Sequence, residues 1–161
     1  MLDQKALFLS FWEKEAPATR KVIERIPEGR SDYRADPKAR TAREIAWLMV
    51  LEETLLAEGL EKGAIEWVDQ PAPATIREIL DAYDRLHGRA TETLQALPPA
   101  RWEGQVPFLW DGQEVMRDTG YKTAWGFLFD QVHHRGQLST YLRPMGSTVP
   151  AIYGPSADEA M

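Results

Sequence analysis

The stretch DQVHHRGQLSTYLR, residues 130–143, decides most of what this sequence predicts about fold and chemistry. We expect it to form a helix, on which residues four apart lie one above the other on the same face. Asp130 and His134 have that spacing, and Gln137 and Tyr141 continue the same face. A carboxylate and an imidazole that converge in this way are ligands for a divalent metal. The stretch therefore predicts a helix with a metal-binding face.

Three earlier stretches share the helical spacing of apolar residues, and residues that cap or break helices mark their ends. Thr41 with Glu44, and Thr75 with Glu78, have the spacing of a capping box, in which two side chains and two main-chain amides bond reciprocally. Pro17 marks a kink or a break in the first helix. The four predicted helices are 3–26, Thr41 to Gly59 or Gly63, Thr75 to about Leu97, and Asp118 or Thr119 to about Arg143.

A short insertion is predicted before the last helix. Short apolar stretches lie on both sides of Asp111-Gly112, a residue pair typical of a tight hairpin turn. Pro107 weakens the first strand of this hairpin. Four amphipathic helices with one long connection predict an all-α protein, an antiparallel four-helix bundle with a small hairpin or irregular insertion before the last long helix. The length predicts a single domain over 1–161.

The composition narrows the classes of function. The net charge of −6 and the absence of a basic patch argue against nonspecific binding to nucleic acid. The chain has no cysteine, which excludes disulfides, thiolate ligands to a metal and a cysteine nucleophile. No apolar run reaches the roughly 18 residues that a membrane span needs, and the first residues lack the pattern of a signal peptide. We expect a cytoplasmic protein that acts on a small-molecule substrate, with no nucleic acid or membrane partner.

Two C-terminal motifs resemble those of the DinB-like superfamily. The first is HHRGQL at 133–138, followed by Tyr141 and Arg143, and the second is IYGPS at 152–156. The resemblance implies a four-helix bundle, often a homodimer, with a divalent metal held by three histidines, one from the second helix and two from the fourth. Some members of this family transfer a low-molecular-weight thiol such as bacillithiol or mycothiol to an acceptor, and some isomerise maleylpyruvate with a thiol cofactor.

The chain differs from that pattern at two of the three ligand positions. His134 matches the last ligand, but Asp130 stands at the preceding one, and Leu48 stands where the second helix would supply a histidine. Glu52 lies one helical turn after Leu48, on the same face. Glu52, Asp130 and His134 would therefore form a site of two carboxylates and one imidazole, suited to Ni(II), Zn(II), Fe(II) or Mn(II).

Two functions from different classes follow from these residues. The first is a metal-dependent enzyme that transfers a low-molecular-weight thiol to an electrophilic small molecule, in which Gln137 and Tyr141 orient the free face of the metal. The second is a non-catalytic member of the family with a degenerate metal site, which acts as a small-ligand-binding or stress-associated interaction protein. Leu48 is the residue that favours this second function.

The candidate ligands also allow structural roles that need no metal. Asp130 and His134 would then form a hydrogen-bonded pair across one helical turn, which raises the pKa of the imidazole. Glu52 would be a carboxylate at the rim of the bundle that reaches water or pairs with Arg135. His87 is expected on the surface, because it lies in a charged helical segment.

Overall fold

The computed structural model describes residues 3–160, which form five α-helices and one small sheet. In chain order the elements are α1 Gln4–Glu24, α2 Ala42–Lys62, β1 Ile65–Trp67, α3 Ile76–Ala96, α4 Pro99–Glu103, β2 Gln105–Trp110, β3 Gln113–Thr119 and α5 Gly120–Leu142. A 3-10 turn, Glu28–Arg30, follows α1. None of the helices in this part of the chain carries the long apolar stretch that crossing a bilayer requires.

Hydrogen bonds at the caps confirm the predicted starts of α2 and α3. The main-chain N–H of Thr41 donates to Glu44 Oε2 at 2.7 Å, and the N–H of Glu44 donates to Thr41 Oγ1 at 3.2 Å. Thr75 and Glu78 form the same reciprocal pair at the start of α3. Pro17 does not divide the first helix, because α1 continues past it to Glu24.

The four long helices form a ring in the order α1, α3, α2, α5, in which each helix packs against two neighbours. α1 and α3 run antiparallel. Trp12 Nε1 donates to Thr91 Oγ1 in the second half of α3, whereas Arg20, further along α1, pairs with Asp84 in the first half. This pair agrees with the predicted bundle.

α2 and α5 also run antiparallel, and this pair positions the candidate site. Gln131, near the middle of α5, donates to Glu52 near the middle of α2. Tyr141, at the end of α5, donates to the main-chain carbonyl of Arg40, just before α2 begins. The middle turns of the two helices therefore face each other.

The other two neighbouring pairs run parallel, so the prediction of an antiparallel bundle is wrong for them. The first half of α2 packs with the first half of α3, and their second halves pack together. The first halves of α1 and α5 likewise pack together, and so do their second halves. For α3 to run parallel to α2, the connection 63–75 must return along the length of α2. Its 13 residues can do so, because they span about 43 Å when extended, more than the roughly 32 Å of a 21-residue helix.

The three-stranded sheet corrects the expectation of an all-α protein. β2 and β3 form the predicted hairpin, and φ is 50° at Asp111 and 73° at Gly112, as a two-residue turn of left-handed residues requires. β1 lies between the second and third predicted helices, where no strand was predicted, and it pairs in parallel with β2, with Trp67 opposite Trp110. Because α2 and α3 end at the same end of the bundle, the strands that follow them are free to pair in parallel.

The core consists of two apolar clusters, one toward each end of the bundle. One cluster contains the end of α1 and the starts of α2 and α3, and the other contains the start of α1 and the ends of α2 and α3. A set of buried or partly buried polar side chains from all four long helices separates them, and we call it the polar layer. Its members are Glu15, Thr19, Glu52, Glu53, His87, Gln131 and Arg135.

Candidate metal centre

Three potential ligand atoms converge where the polar layer reaches the surface, from Glu52 on α2 and from Asp130 and His134 on α5. The atoms lie within 4.8 Å of one another, and His134 Nε2 is 3.5 Å from both Glu52 Oε1 and Asp130 Oδ2. Ligands of a tetrahedral ion, each about 2.1 Å from the metal, lie about 3.4 Å apart. The donor set therefore fits a divalent metal in size and in chemistry, and the structure brings together the three side chains that the sequence singled out.

His134 is oriented by Gln137, which lies three residues further along α5. His134 Nδ1 is 2.9 Å from Gln137 Oε1, so the amide oxygen accepts the Nδ1 proton. In the neutral imidazole this leaves the lone pair on Nε2, the atom that faces the two carboxylates. Histidine ligands in metal sites are commonly oriented by such a hydrogen bond. Gln137 thus positions the imidazole, whereas the sequence predicted that it orients the free face of the metal.

Gln131 holds Glu52 from the interior of the bundle. Its Nε2 donates to Glu52 Oε2 at 2.9 Å and to the main-chain carbonyl of Met49 at 2.7 Å. Glu52 is only 4% exposed, and its other oxygen, Oε1, faces His134. Sequence reasoning missed Gln131. The available signal was its spacing of four from Arg135, since two polar residues one turn apart on a packed helix mark a polar layer.

The pKa values of all three candidate ligands are shifted by burial and by their contacts with one another. Burial raises the pKa of Glu52 to about 7, against the opposing effect of the hydrogen bond with His134. Burial alone lowers the pKa of His134, but hydrogen bonds to the neighbouring carboxylates outweigh it and raise that pKa to about 10. The hydrogen bond with His134 also lowers the pKa of Asp130. Near neutral pH the imidazole therefore carries a proton that a metal has to displace.

Tyr141 lies further along the same face of α5, but its hydroxyl bonds to the main chain. It donates to the carbonyl oxygen of Arg40 at 3.4 Å, and its ring packs edge-on against Tyr33, with 5.3 Å between the ring centroids. The side chain is buried, and it borders a small cavity together with His134 and Gln137. In this geometry Tyr141 anchors the loop before α2, and its role in orienting the free face of a metal stays a prediction.

Two structural expectations from the sequence are wrong. Arg135 does not pair with Glu52, because it forms a buried ion pair with Glu15, with 2.6 Å between Nη2 and Oε2. His87 is not a surface residue. Its ring stacks against two aromatic rings of the core, and its Nδ1 lies 2.7 Å from Glu53 Oε2. Both residues belong to the polar layer, which depends on packing between helices that are distant in sequence.

A cavity of about 680 Å³ opens beside the three candidate ligands, which line part of its polar side. Its apolar side consists of Phe127 from α5 with Trp67, Phe108 and Trp110 from the sheet. Leu48, at the position where the resemblance implies a histidine, is 7% exposed and adds aliphatic carbon to the wall. We call this space the apolar cavity. Its volume is in the range of sites that enclose small organic molecules.

Comparison with known proteins identifies relatives along the whole chain. The sequence matches the DinB family over residues 1–161. It is 29% identical over 160 residues to YrdA of Bacillus subtilis (strain 168), an uncharacterized protein, and the match covers 94% of this chain and 89% of YrdA. The relative therefore supports the family without adding a function.

Solved structures support the fold. A DinB-like protein from Bacillus cereus ATCC 10987 has a TM-score of 0.74 at 22% identity, with 91% of this chain and 95% of that chain covered. YfiT from Bacillus subtilis, described as a probable metal-dependent hydrolase with an unusual four-helix bundle topology, has a TM-score of 0.71 at 16% identity, with 88% and 87% covered. Since the family matches from the first residue to the last, this protein is a member of the DinB family.

Proposed function

We propose that the protein is a divalent-metal-dependent enzyme that acts on a small molecule in the apolar cavity, with Glu52, Asp130 and His134 as the metal ligands. One observation carries the proposal: two carboxylate oxygens and an imidazole nitrogen lie within 4.8 Å of one another at the wall of a cavity of about 680 Å³. Two carboxylates and one imidazole with open positions suit Fe(II), Mn(II), Zn(II) or Ni(II). Perturbed titratable groups beside an apolar cavity are typical of enzyme sites.

The protein's own side chains would keep this site in order. Gln137 fixes the ring of His134, and Gln131 fixes the carboxylate of Glu52. The Asp130 side chain is 52% exposed and keeps a lowered pKa, so it stays ionised and accepts hydrogen bonds on the solvent side. A divalent metal held there would supply Lewis acidity, which lowers the pKa of a water or thiol ligand.

The nucleophile we propose is a low-molecular-weight thiol, by analogy with the thiol-transferring members that the resemblance implies. The chain contains no cysteine, so the thiol has to enter as a cosubstrate. In the transfer, the thiol loses its proton to solvent, its sulfur bonds to the electrophilic carbon, and the leaving group departs with the bonding electron pair and takes up a proton from solvent. We also propose, from the same resemblance, that the protein is a homodimer in the cytoplasm.

Hydrolysis is the variant of this reaction in which water replaces the thiol. The description of YfiT as a probable metal-dependent hydrolase favours it. Mass spectrometry of the products distinguishes the two reactions, because thiol transfer leaves the sulfur-linked thiol on the acceptor in place of the leaving group, whereas hydrolysis leaves a hydroxyl group there.

Metal content tests the ligand assignment. Protein dialysed against Zn(II), Ni(II), Mn(II) or Fe(II) is expected to retain about one ion per chain of at least one of these metals. His134→Ala is expected not to retain that ion, because it lacks the ring nitrogen that binds the metal. His133→Ala is the matched control, because it removes an adjacent imidazole that borders the same cavity but lies outside the donor set. Equal, substoichiometric metal in the wild type and in His134→Ala would contradict the assignment.

A non-catalytic ligand-binding protein is the second candidate, and buried Leu48 at the position of a family ligand favours it. Thermal unfolding separates the two candidates, because a metal that binds only the folded protein must raise the melting temperature. An unchanged melting temperature with all four metals, together with an increase on addition of an organic ligand, would favour the binding protein.

A further inference from the structure

The wall of the apolar cavity is aromatic and partly uncovered. Trp67 and Trp110 lie on paired strands with their rings stacked, 5.5 Å between centroids and 5° between planes. Phe108 and Phe127 continue the wall at 6.2 Å from each other. Trp110 is 44% exposed, so the protein itself does not bury this surface. Exposed aromatic surface at a cavity is typical of ligand sites, and flat rings pack well on it.

Most of the charged groups around this cavity already have partners. Lys122 lies 3.3 Å from Asp118, and the candidate ligands form their own cluster. Arg40 differs from them, because within residues 3–160 its guanidinium forms no ion pair with a carboxylate. The apolar cavity therefore has one cation at its rim that is available to an incoming anion.

Arg40 occupies a defined place in the site. It borders the apolar cavity, the smaller cavity beside His134 and Gln137, and a third cavity on the side of Arg34 and Lys38. Its main chain is fixed, because Tyr141 donates to its carbonyl and the next residue, Thr41, caps α2. A guanidinium presents a planar fork of N–H donors that matches the two oxygens of a carboxylate.

We propose that the substrate is a small aromatic acid, whose flat apolar body lies on the Trp67–Trp110 wall and whose carboxylate pairs with Arg40. The inference rests on the proposed function, because it takes the apolar cavity as the substrate site, but the contacts it invokes do not include the metal. These two contacts, with the aromatic wall and with Arg40, fix the orientation of the molecule relative to the three candidate ligands. The aromatic wall selects for the body, and Arg40 selects for the charge.

Binding of a matched pair of probes tests this inference. 2-Naphthoate and its neutral counterpart 2-naphthamide share one flat body and differ in charge. By titration calorimetry, the wild type is expected to bind the acid about tenfold more tightly, as for a hydrogen bond to a charged group. Arg40→Gln is expected to abolish that preference and leave binding of the amide unchanged. Trp110→Ala is expected to weaken both probes, because it removes part of the wall.

Controls separate this inference from the proposed metal site. Arg77→Gln makes the same change of charge on the exposed side of α3 and is expected to keep the preference for the acid. Each titration is done with Zn(II)-loaded and with EDTA-treated protein. A preference that depends on Arg40 in both forms supports the inference even if metal analysis contradicts the metal site. Equal binding of the two probes, a preference that survives Arg40→Gln, or no binding of either probe overturns it, even if the metal site is real.

Discussion

His134 is the residue at which protons and a metal would compete. Its Nδ1 is taken by Gln137, and its Nε2 lies 3.5 Å from a carboxylate oxygen on either side. Hydrogen bonds to these carboxylates overcome the effect of burial and raise the pKa of His134 to about 10. A proton therefore occupies the place of the metal over most of the physiological pH range, and binding of a metal must release it.

Metal affinity is therefore expected to increase with pH. Between pH 7 and 10, release of one proton from His134 makes the dissociation constant for Zn(II) fall by up to about tenfold per pH unit. Below pH 7 the slope is steeper, because Glu52, whose pKa burial raises to about 7, is then protonated as well. Competition titrations with a chelator of known affinity measure the slope. An affinity that is independent of pH would contradict this account.

The metal-free protein provides the control, because the same shifts act on its stability with the opposite sign. The folded-state pKa of His134 is raised from 6.5 to about 10, so its contribution to stability is complete below pH 6.5 and is lost as the pH rises to 10. The raised pKa of Glu52 acts in the same direction between pH 4.5 and about 7. The stability difference between the wild type and His134→Gln should shrink with increasing pH when no metal is present.

The sequence predicted the three candidate ligands from two sources, helical spacing within α5 and the family resemblance, which drew attention to Glu52 one turn after Leu48 on α2. Asp130 and His134 are four apart on α5, so helical geometry alone placed them together. Spacing on α5 offered a signal that Gln131 is part of a polar layer, but the roles of Gln131 and His87 are defined by partners on another helix, Glu52 and Glu53 respectively. Local spacing gives no information on which helices become neighbours in the fold.

At the scale of elements, the contact between α2 and β1 depends on Gly59. A Cβ atom at this position would overlap the Ile65 side chain and lie 3.1 Å from the Ile65 Cα. The strand therefore approaches the helix more closely than any other residue would allow. Because β1 carries Trp67 into the wall of the apolar cavity, the glycine also affects the shape of the candidate site.

Gly59→Ala is expected to destabilise the protein by about 1–3 kcal/mol, the usual effect of overpacking, although alanine favours the helical conformation. Gly88→Ala in α3 is the matched control. A Cβ there meets no other atom within 4 Å, so helix propensity alone should stabilise the protein by up to about 1 kcal/mol. Urea denaturation measures both changes. If the two variants were stabilised equally, the close approach of β1 to α2 would not exist in solution.

Among the elements, those whose signals are local were predictable. The capping boxes at Thr41 and Thr75 fixed the starts of α2 and α3, because their hydrogen bonds span only three residues. β1 has three residues, and the strand that stabilises it begins 40 residues after Ile65, so its own sequence gives little signal. The parallel direction of α2 and α3 depends on the path of the connection 63–75, which hydrophobic periodicity does not specify.

At the scale of the whole molecule, the polar layer divides the core and joins all four long helices. Arg135 is its central cation. It is 2% exposed, and besides the ion pair with Glu15 it donates to the hydroxyl of Thr19 and to that of Tyr153 in the C-terminal segment. Burying such a group is costly unless it is fully paired. The layer therefore fixes which turns of the helices face each other, and with them the position of Glu52.

Arg135→Met is accordingly expected to destabilise the protein by about 3 kcal/mol, because it leaves the carboxylate of Glu15 buried without its cation. Adding Glu15→Gln should recover part of this loss, since the unpaired charge is removed. Arg143→Met, the same substitution at the residue directly after α5, should change stability very little, because its pair with Asp158 lies at the surface. Urea denaturation of the four proteins gives the comparison. Equal effects of the two arginine substitutions, or no recovery in the double variant, would show that the layer does not hold the helices together through this ion pair.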